Sequence, residues 1–406
     1  MENAQVHERV SNGVAEKEDV VTPWTITRVN DTGIDYDELI KKFGSSKIDD
    51  ELLAKFEKIT GKKPHHFLRR GIFFSHRDMH TILNLYEQGQ YFYLYMSREP
   101  SMMHLGHLIP FMFCKWLQDI FDVPLVIQLT DDEKGTWETV KVEDAIKLAY
   151  TNARDIIACG FNPKKTFIFF NVEHIEINPA FYQNMIRIGK YVVLNQVKSI
   201  LDFGNTGSIA KGAFPLMQVV PAISSTFPFI FKDTKVPCLI PCLIDEDQYF
   251  CMMRDVTPRL GYPKPALLHA IFFPALQGCK TKISASDNNT AIFLTDTAKQ
   301  IKNKINKYAF SGGQATVEEH RRLGGNCEVD ISYQWLRFFL EDDERLKQIR
   351  KDYTSGEILT GELKKELIDV LQRLVAKHQE AKSKVTDEVI KQFMIPRDLG
   401  FVSKTK

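Results

Sequence analysis

Two histidines bracket a glycine in the segment His104-Leu105-Gly106-His107, which follows an apolar run ending at Tyr95. Imidazole groups at the start of a helix can donate hydrogen bonds to phosphate oxygens, and a helix N-terminus itself favours bound phosphate. Gly106 has no side chain, so the backbone there can come close to a ligand. Taken alone, the pattern is also that of two histidines that only cap a helix.

A lysine lies far downstream in a loop of small polar residues, Lys282-Ile283-Ser284-Ala285-Ser286-Asp287. A lysine that swings over a triphosphate places positive charge where the leaving pyrophosphate gathers negative charge. A single loop lysine is more often merely solvated. The two segments in this order nevertheless predict a nucleotide triphosphate site, provided that the fold brings them together.

The elements around these segments alternate between strands and helices. Strands are expected at 91–95, 124–130, 166–170, 238–244 and 266–273, and helices at 107–121 and 142–159. This alternation predicts an α/β fold with a Rossmann-like, doubly wound parallel sheet. In such a sheet ligands bind at the carboxyl ends of the strands. Charged segments of helical period at 295–308, 331–350 and 361–393 predict a C-terminal α-helical domain.

The chain is expected to divide into four parts. Residues 1–20 form a disordered tail, and residues 21–89 form an extension that packs on the catalytic domain. Residues 90–294 form the Rossmann catalytic domain, with connective and dimerisation material at about 175–235. Residues 295–406 form the helical domain, which makes some return contact with the catalytic domain.

Composition narrows the class of protein. The 53 Lys and Arg residues balance 52 Asp and Glu residues, which argues against a protein that coats duplex nucleic acid but allows one local basic surface. Seven scattered cysteines indicate reduced thiols, and Cys238 and Cys242 are better explained by a buried strand than by half a metal site. The acidic N-terminal segment lacks a signal or presequence, so we expect a cytoplasmic protein with no membrane partner.

The two segments together resemble the HIGH and KMSKS signatures of class I aminoacyl-tRNA synthetases. Ala285 resembles the variant of the second signature in the tryptophanyl-tRNA synthetase family. The resemblance to the eukaryotic and archaeal branch of that family extends over about residues 22–400, and three further segments carry it: Gly71-Ile72-Phe73-Phe74-Ser75-His76-Arg77-Asp78, Thr130-Asp131-Asp132-Glu133-Lys134, and Gly261-Tyr262-Pro263-Lys264-Pro265-Ala266-Leu267-Leu268-His269.

The resemblance implies two-step acyl transfer from ATP, tryptophan and tRNA, with Mg²⁺ as a further cofactor and a homodimer as the assembly. His104, His107 and Lys282 would be catalytic. The helical domain would bind the anticodon. The remaining implied roles are contacts with ATP for Arg98, Gly106, Lys134 and Ser284, acceptance of the indole N–H by Tyr95 and Gln128, and contacts with the α-ammonium for Glu133, Gln218 and Glu246.

The chain departs from the family pattern at three places. Glu99 stands where relatives have glycine, in a shorter loop, and it adds a carboxylate near the expected phosphates. Glu246 stands where the family has glutamine, so it adds charge attraction for an ammonium group but loses a donor. The stretch 310–315 replaces a family stretch that continues Gly-Gly-Arg-Asp, which predicts altered contacts with the anticodon.

Three alternatives remain open from the sequence. A tyrosyl-tRNA synthetase shares the fold and the reaction, but its phenol pocket usually carries an aspartate that is not found at Tyr95 or Gln128. An inactive paralogue that binds RNA is disfavoured by His104, His107 and Lys282. A nucleotidyltransferase of the same superfold would lack the large helical region.

Overall fold

The computed structural model describes residues 20–21, 26–27, 34–137, 140–201, 208–278 and 289–401. Its central feature is a seven-stranded sheet, and a separate two-residue ladder joins the first two strands. The strands in chain order are β1 Val20–Val21, β2 Ile26–Thr27, β3 Ser46–Lys47, β4 Phe73–Arg77, β5 Tyr93–Arg98, β6 Leu125–Leu129, β7 Thr166–Phe170, β8 Cys238–Leu243 and β9 Ala266–Ala270.

The sheet has the strand order β3-β4-β9-β8-β5-β6-β7. The five strands from β9 to β7 are parallel to their neighbours, which confirms the predicted Rossmann-like sheet. The chain places β5 in the middle, next to both β6 and β8, and ligands of doubly wound sheets bind where the strand order reverses in this way. The antiparallel strand β4, and the edge strand β3 that pairs with it, were not predicted.

Helices surround this sheet, and helices also form the part of the chain that follows β9. The helices up to β9 are α1 Tyr36–Phe43, α2 Asp50–Thr60, α3 His66–Arg69, α4 Met79–Glu87, α5 Leu105–Phe121, α6 Asp131–Trp137, α7 Val142–Ile157, α8 Asn171–Ile177, α9 Pro179–Gly189, α10 Leu194–Leu201, α11 Ile209–Val219, α12 Pro228–Phe231 and α13 Asp247–Val256. The helices after β9 are α14 Ala298–Tyr308, α15 Val317–Leu323, α16 Ile331–Phe339, α17 Asp343–Thr354, α18 Thr360–Ser383 and α19 Asp387–Met394.

Side chains on β5 alternate between two hydrophobic cores. Leu94 and Met96 belong to the core that α5 and the C-terminal helices also enter. Tyr93 and Tyr95 belong to a second core on the opposite face, together with α9, α11 and α13. Because strand residues alternate by face, Ser97 continues the row of Tyr93 and Tyr95 toward the carboxyl end of the sheet.

Several predicted boundaries differ from the structure. β5 runs to Arg98, so Tyr95 lies in the middle of the strand rather than at its end. The helix expected at 331–350 is two helices, because Asp342 accepts hydrogen bonds from Glu344 N and Arg345 N and thereby begins a new one. Cys238 and Cys242 are buried in β8, as the strand interpretation predicted. Among the described residues, no helix has the length and apolar character that crossing a membrane requires.

The C-terminal helices pack directly on the sheet region. Trp335 is fully buried in α16, and its Nε1 donates to Pro274 O at 3.0 Å. At the far end of the chain Arg397 Nη2 donates to Thr166 O at 2.8 Å. One continuous hydrophobic core includes residues from both regions. The division into domains stays a prediction.

Candidate active site

The two histidines organise the start of α5. His104 is the N-cap of the helix, and its Nδ1 accepts from Gly106 N at 3.1 Å. His107 Nδ1 accepts from His104 N at 3.3 Å, and the two rings stack with centroids 3.5 Å apart. Both histidines therefore cap the helix, and the stack fixes the orientation of the two rings.

These contacts determine which ring nitrogens can bind a ligand. Each Nδ1 acts as an acceptor, so in the neutral ring the proton is on Nε2. Burial, followed by the charge of Arg98, lowers the pKa of His104 to about 3. The same two causes place the pKa of His107 well below its usual range. At neutral pH the pair therefore consists of two neutral imidazoles with Nε2–H donors.

Gly106 is required by packing at this helix start. A Cβ there would lie 2.9 Å from Phe273 Cδ1 and 3.0 Å from His104 Cε1. Phe273 follows β9, so a larger residue at position 106 would force Phe273 or the start of α5 to shift. This reason for glycine differs from the expected one, close approach of the backbone to a ligand.

The segments before α5 and after the predicted lysine loop lie side by side. Leu105 N donates to Ile292 O at 3.0 Å, and Leu294 N donates to Met103 O at 3.0 Å. On the other side of the loop, Leu276 N donates to Thr290 O at 3.0 Å. The chain thus leaves for the loop and returns from it next to the histidine pair. Lys282 and Ser284 themselves lie outside the described residues.

A cavity of about 260 Å³ opens beside the carboxyl ends of β5, β6 and β8. Its lining combines polar and charged groups with three large apolar or aromatic ones: Ser97, Arg98, Glu99, Thr130, Glu133, Phe214, Gln218, Leu243, Asp245, Glu246 and Tyr249. It lies at the sheet edge where a doubly wound fold binds its ligands.

Tyr95 and Gln128 form a buried polar pair close to this cavity. The Tyr95 hydroxyl lies 2.6 Å from both Gln128 Oε1 and Gln218 O. Gln128 Nε2 donates to Asn171 Oδ1 at 2.7 Å and to Met217 O at 3.0 Å. Since these bonds use both amide protons, Gln128 presents its oxygen to Tyr95. The hydroxyl oxygen of Tyr95 and Oε1 of Gln128 can each accept a hydrogen bond.

Gln218 connects this pair to the cavity wall. Its Nε2 donates to Ser97 Oγ at 2.5 Å, and its backbone oxygen is the one near Tyr95. Ser97 is the register partner of Gln128 across the parallel ladder. Ser97 and Gln218 line the cavity, and both also adjoin the Tyr95–Gln128 pair. A group bound in the cavity therefore lies close to that pair.

Arg98 joins the cavity to the histidine pair. It lines the cavity, and its Nη2 lies 3.1 Å from His107 Nδ1 and also donates to Ser101 Oγ. Because guanidinium is always charged, Arg98 brings a fixed positive charge to the boundary between the two parts of the site.

Two carboxyl groups of the cavity, those of Glu133 and Glu246, have raised pKa values. Burial, followed by the charge of Glu99, raises the pKa of Glu133 well above its usual range, although Thr130 Oγ1 donates to its Oε2 at 2.7 Å. Burial, followed by the charge of Asp245, raises the pKa of Glu246 to about 8. Perturbed carboxyls in a cleft are typical of functional sites.

The structure brings most of the predicted site residues into one region. Tyr95, Gln128, Glu133, Gln218 and Glu246 surround or adjoin the cavity, and Arg98 links them to His104, Gly106 and His107. Lys134 belongs to α6, next to Glu133, and nothing is described of its side chain.

Sequence reasoning missed several contributors to the site. Ser97 could have been found by alternation from Tyr95, and Asn171 as the first residue after β7. Thr130 lay in a quoted segment without a role. No local pattern singles out Phe214 or Tyr249.

Comparison with known proteins identifies the family. Residues 92–376, more than half of the chain, match the model of the class I tRNA synthetases for W and Y. The chain is 60% identical over 388 residues to a cytoplasmic tryptophan–tRNA ligase of Homo sapiens, covering 95% of this chain and 82% of that one. It is 54% identical over 386 residues to the cytoplasmic enzyme of Arabidopsis thaliana, covering 94% and 95%.

Solved structures agree with these relatives. A tryptophanyl-tRNA synthetase from Giardia lamblia superposes with a TM-score of 0.86 at 42% identity, covering 90% of this chain and 96% of that one. A product-bound parasite tRNA synthetase gives the same TM-score at 50% identity, covering 90% and 97%. The chain therefore belongs to the class I aminoacyl-tRNA synthetases, in the family of cytoplasmic tryptophan–tRNA ligases.

Proposed function

We propose that this chain activates L-tryptophan with ATP in the cavity beside β5 and transfers it to tRNA from there. The tryptophan carboxylate attacks the α-phosphorus of ATP, which forms tryptophanyl-adenylate and releases pyrophosphate. A terminal ribose hydroxyl of tRNA then attacks the mixed anhydride and releases AMP. The observation that supports this most is the pairing of the segments 103–105 and 292–294, which brings the chain that follows the predicted lysine loop beside the histidine pair.

No protein nucleophile is needed for this reaction, so the protein acts by positioning and charge. The Nε2–H groups of His104 and His107 would donate to phosphate oxygens, and Arg98 and Lys134 would supply positive charge. The described residues contain no cluster of three or more His, Cys, Asp or Glu side chains that could hold a metal. We propose Mg²⁺ as a further cofactor of the reaction, bound by the triphosphate.

Recognition of tryptophan would depend on the Tyr95–Gln128 pair. The indole N–H would meet one of their two oxygens, whereas a phenylalanine ring would leave those buried oxygens without a new donor. Glu133, Gln218 and Glu246 would surround the α-ammonium. The reaction is tested by ATP–pyrophosphate exchange with each amino acid in turn. Exchange with tyrosine in place of tryptophan would favour the tyrosine enzyme, and no exchange with any amino acid would favour an inactive paralogue.

Replacing Tyr95 by phenylalanine is expected to weaken tryptophan binding by about 1–3 kcal/mol, the cost of leaving a buried hydrogen-bond partner unsatisfied. The KM for tryptophan in the exchange assay measures this loss. Tyr93→Phe is the matched control, because Tyr93 is buried on the same face and its hydroxyl donates to Pro221 O at 2.8 Å. Equal KM values for the two variants would remove Tyr95 from substrate recognition.

The tRNA would lie across the C-terminal helices. Exposed Lys299, Lys302 and Lys307 lie on α14, a helix without an acidic residue that follows the lysine loop. In a chain of net charge +1 this is a local basic surface, suited to the phosphates of an RNA backbone.

A homodimer would use the apolar surface of α8 to α10. Tyr182 is 51% exposed, Ile186 57% and Leu194 62%. Large exposed apolar groups in one region are typical of interfaces. Ile186→Lys is expected to shift the mass in sedimentation equilibrium from dimer to monomer. An unchanged dimer would place the interface elsewhere.

A further inference from the structure

The two acidic departures from the family pattern line the same cavity. Glu99 follows β5 and Glu246 follows β8, and both belong to the cavity lining with Glu133 and Asp245. Arg98 is the basic residue of this lining, within the described part of the chain. Four carboxyl groups thus share about 260 Å³ with one guanidinium.

Such a cavity resists full ionisation of its carboxyl groups. Like charges at close range in a poorly solvated space disfavour one another's charged form, and one of them keeps its proton. Arg98 offsets one negative charge, and its Nη2 is directed toward Ser101 and His107. The two carboxyl groups whose pKa is raised, those of Glu133 and Glu246, are therefore disfavoured in their charged forms until a cation binds.

Resting on the function proposed above, we propose that Glu246 holds a proton before tryptophan binds and releases it when the substrate ammonium takes its place. In this step the carboxylic acid of Glu246 and the ammonium group of the ligand form an ion pair of carboxylate and ammonium, and one proton leaves to solvent. A protonated carboxyl donates one hydrogen bond and accepts another, so it resembles the family's glutamine until the ammonium arrives.

The charged and polar residues around Glu246 determine whether its carboxyl group holds a proton. Asp245 on its own segment, Glu99 at the end of β5 and Glu133 on α6 add negative charge, whereas Arg98 adds positive charge. Gln218 on α11 is neutral. Burial and then Asp245 raise the pKa of Glu246 to about 8, against the opposing effects of the Leu243 backbone and Arg98. Burial and then Glu99 raise the pKa of Glu133 as well, against the opposing hydrogen bond from Thr130. The Glu246→Gln variant therefore separates a proton on Glu246 from one on Glu133.

Calorimetric titration of the protein with tryptophan at pH 7 tests the proposal. It is run in phosphate and in Tris, whose ionisation enthalpies differ, so the difference in observed enthalpy counts the protons released. We expect close to one proton per site for the native chain, almost none for Glu246→Gln, and nearly the native value for Glu99→Gln. Equal enthalpies in the two buffers for the native chain would overturn the proposal, and release that persists in Glu246→Gln would overturn the assignment to Glu246.

The pH dependence of binding provides a second readout. Because the proton must leave first, tryptophan affinity is expected to rise about tenfold per pH unit between pH 6 and 7 and to level off near pH 8. In Glu246→Gln this slope should be absent, and a thermal melt establishes that the variant is folded. Failure of tryptophan to bind at all would count against the proposed function, whereas binding without proton release would count only against this inference.

Discussion

Replacement of Lys282 by alanine is expected to slow adenylate formation by about 10²–10³-fold, the effect of removing one preorganised group that stabilises charge in the transition state. Negative charge builds up on the leaving pyrophosphate, and the loop ends at Leu276 and Thr290, which are hydrogen-bonded to each other beside the start of α5. We therefore propose that a lysine carried between these two residues acts on a triphosphate held by the histidine pair.

The measurement is single-turnover formation of tryptophanyl-adenylate, with tryptophan affinity measured separately. Since Lys282 would act on the phosphates rather than on the amino acid, we expect the rate to fall and tryptophan affinity to stay constant. Lys347→Ala is the matched control, because Lys347 is 77% exposed and pairs with Glu344 on α17. A Lys282→Ala variant that forms adenylate at the native rate would separate the loop from catalysis.

The sheet was predictable because its parallel strands leave a strong local signal. β6, β7 and β8 are buried on both faces and therefore appear as continuous apolar runs. The strand β4 was not predicted because its antiparallel pairing with β9 joins residues almost two hundred positions apart. A five-residue segment, Phe-Phe-Ser-His-Arg, cannot by itself indicate such a partner.

The site was predictable to a different degree in each part. The histidine pair is local in sequence, so its position at the start of a helix could be inferred from the motif. The link between Arg98 and His107, and the contact of Gln218 with both Ser97 and Tyr95, depend on tertiary packing. The crowding of carboxyl groups in the cavity could not be predicted either. Glu99 and Glu246 follow strands that are far apart in sequence, and only the fold brings them into one cavity.

The largest expected effect on stability concerns Asp247, the first residue of α13. Arg77 donates to both of its carboxyl oxygens, from Nε at 2.7 Å and from Nη2 at 2.8 Å. His269 Nε2 lies 2.9 Å from Oδ1, and Ser75 Oγ lies 2.9 Å from the Nδ1 of the same histidine. The Asp247 side chain is 2% exposed, so this network joins β4, β9 and α13 inside the protein. It also holds the end of the segment that carries Glu246 into the cavity.

Asp247→Asn is expected to lower the free energy of unfolding by about 3–5 kcal/mol at pH 7, because the change leaves the charge of Arg77 buried without its counter-charge. Chemical unfolding monitored by fluorescence measures the loss. Asp343→Asn serves as the comparison, since Asp343 is likewise paired with arginine, here with Arg69 and Arg70, but is 30% exposed. Its loss should be smaller because solvent screens that pair. Equal losses in the two variants would show that burial is not the reason.

The pH dependence of stability tests the same network, because the lowered pKa of Asp247 fixes the direction of the expected change. Burial alone would raise the pKa of Asp247, but the hydrogen bonds from Arg77 and His269 outweigh it and bring the pKa below its ordinary value. A carboxyl whose folded-state pKa is lowered stabilises the protein above its unfolded-state pKa of about 4, and this contribution is lost as the pH falls further. The difference in the free energy of unfolding between the native chain and Asp247→Asn should therefore shrink as the pH falls from about 4 to about 2. A difference that stays constant over that range would mean that the carboxylate charge does not cause the stabilisation, which would then come from the shape of the side chain alone.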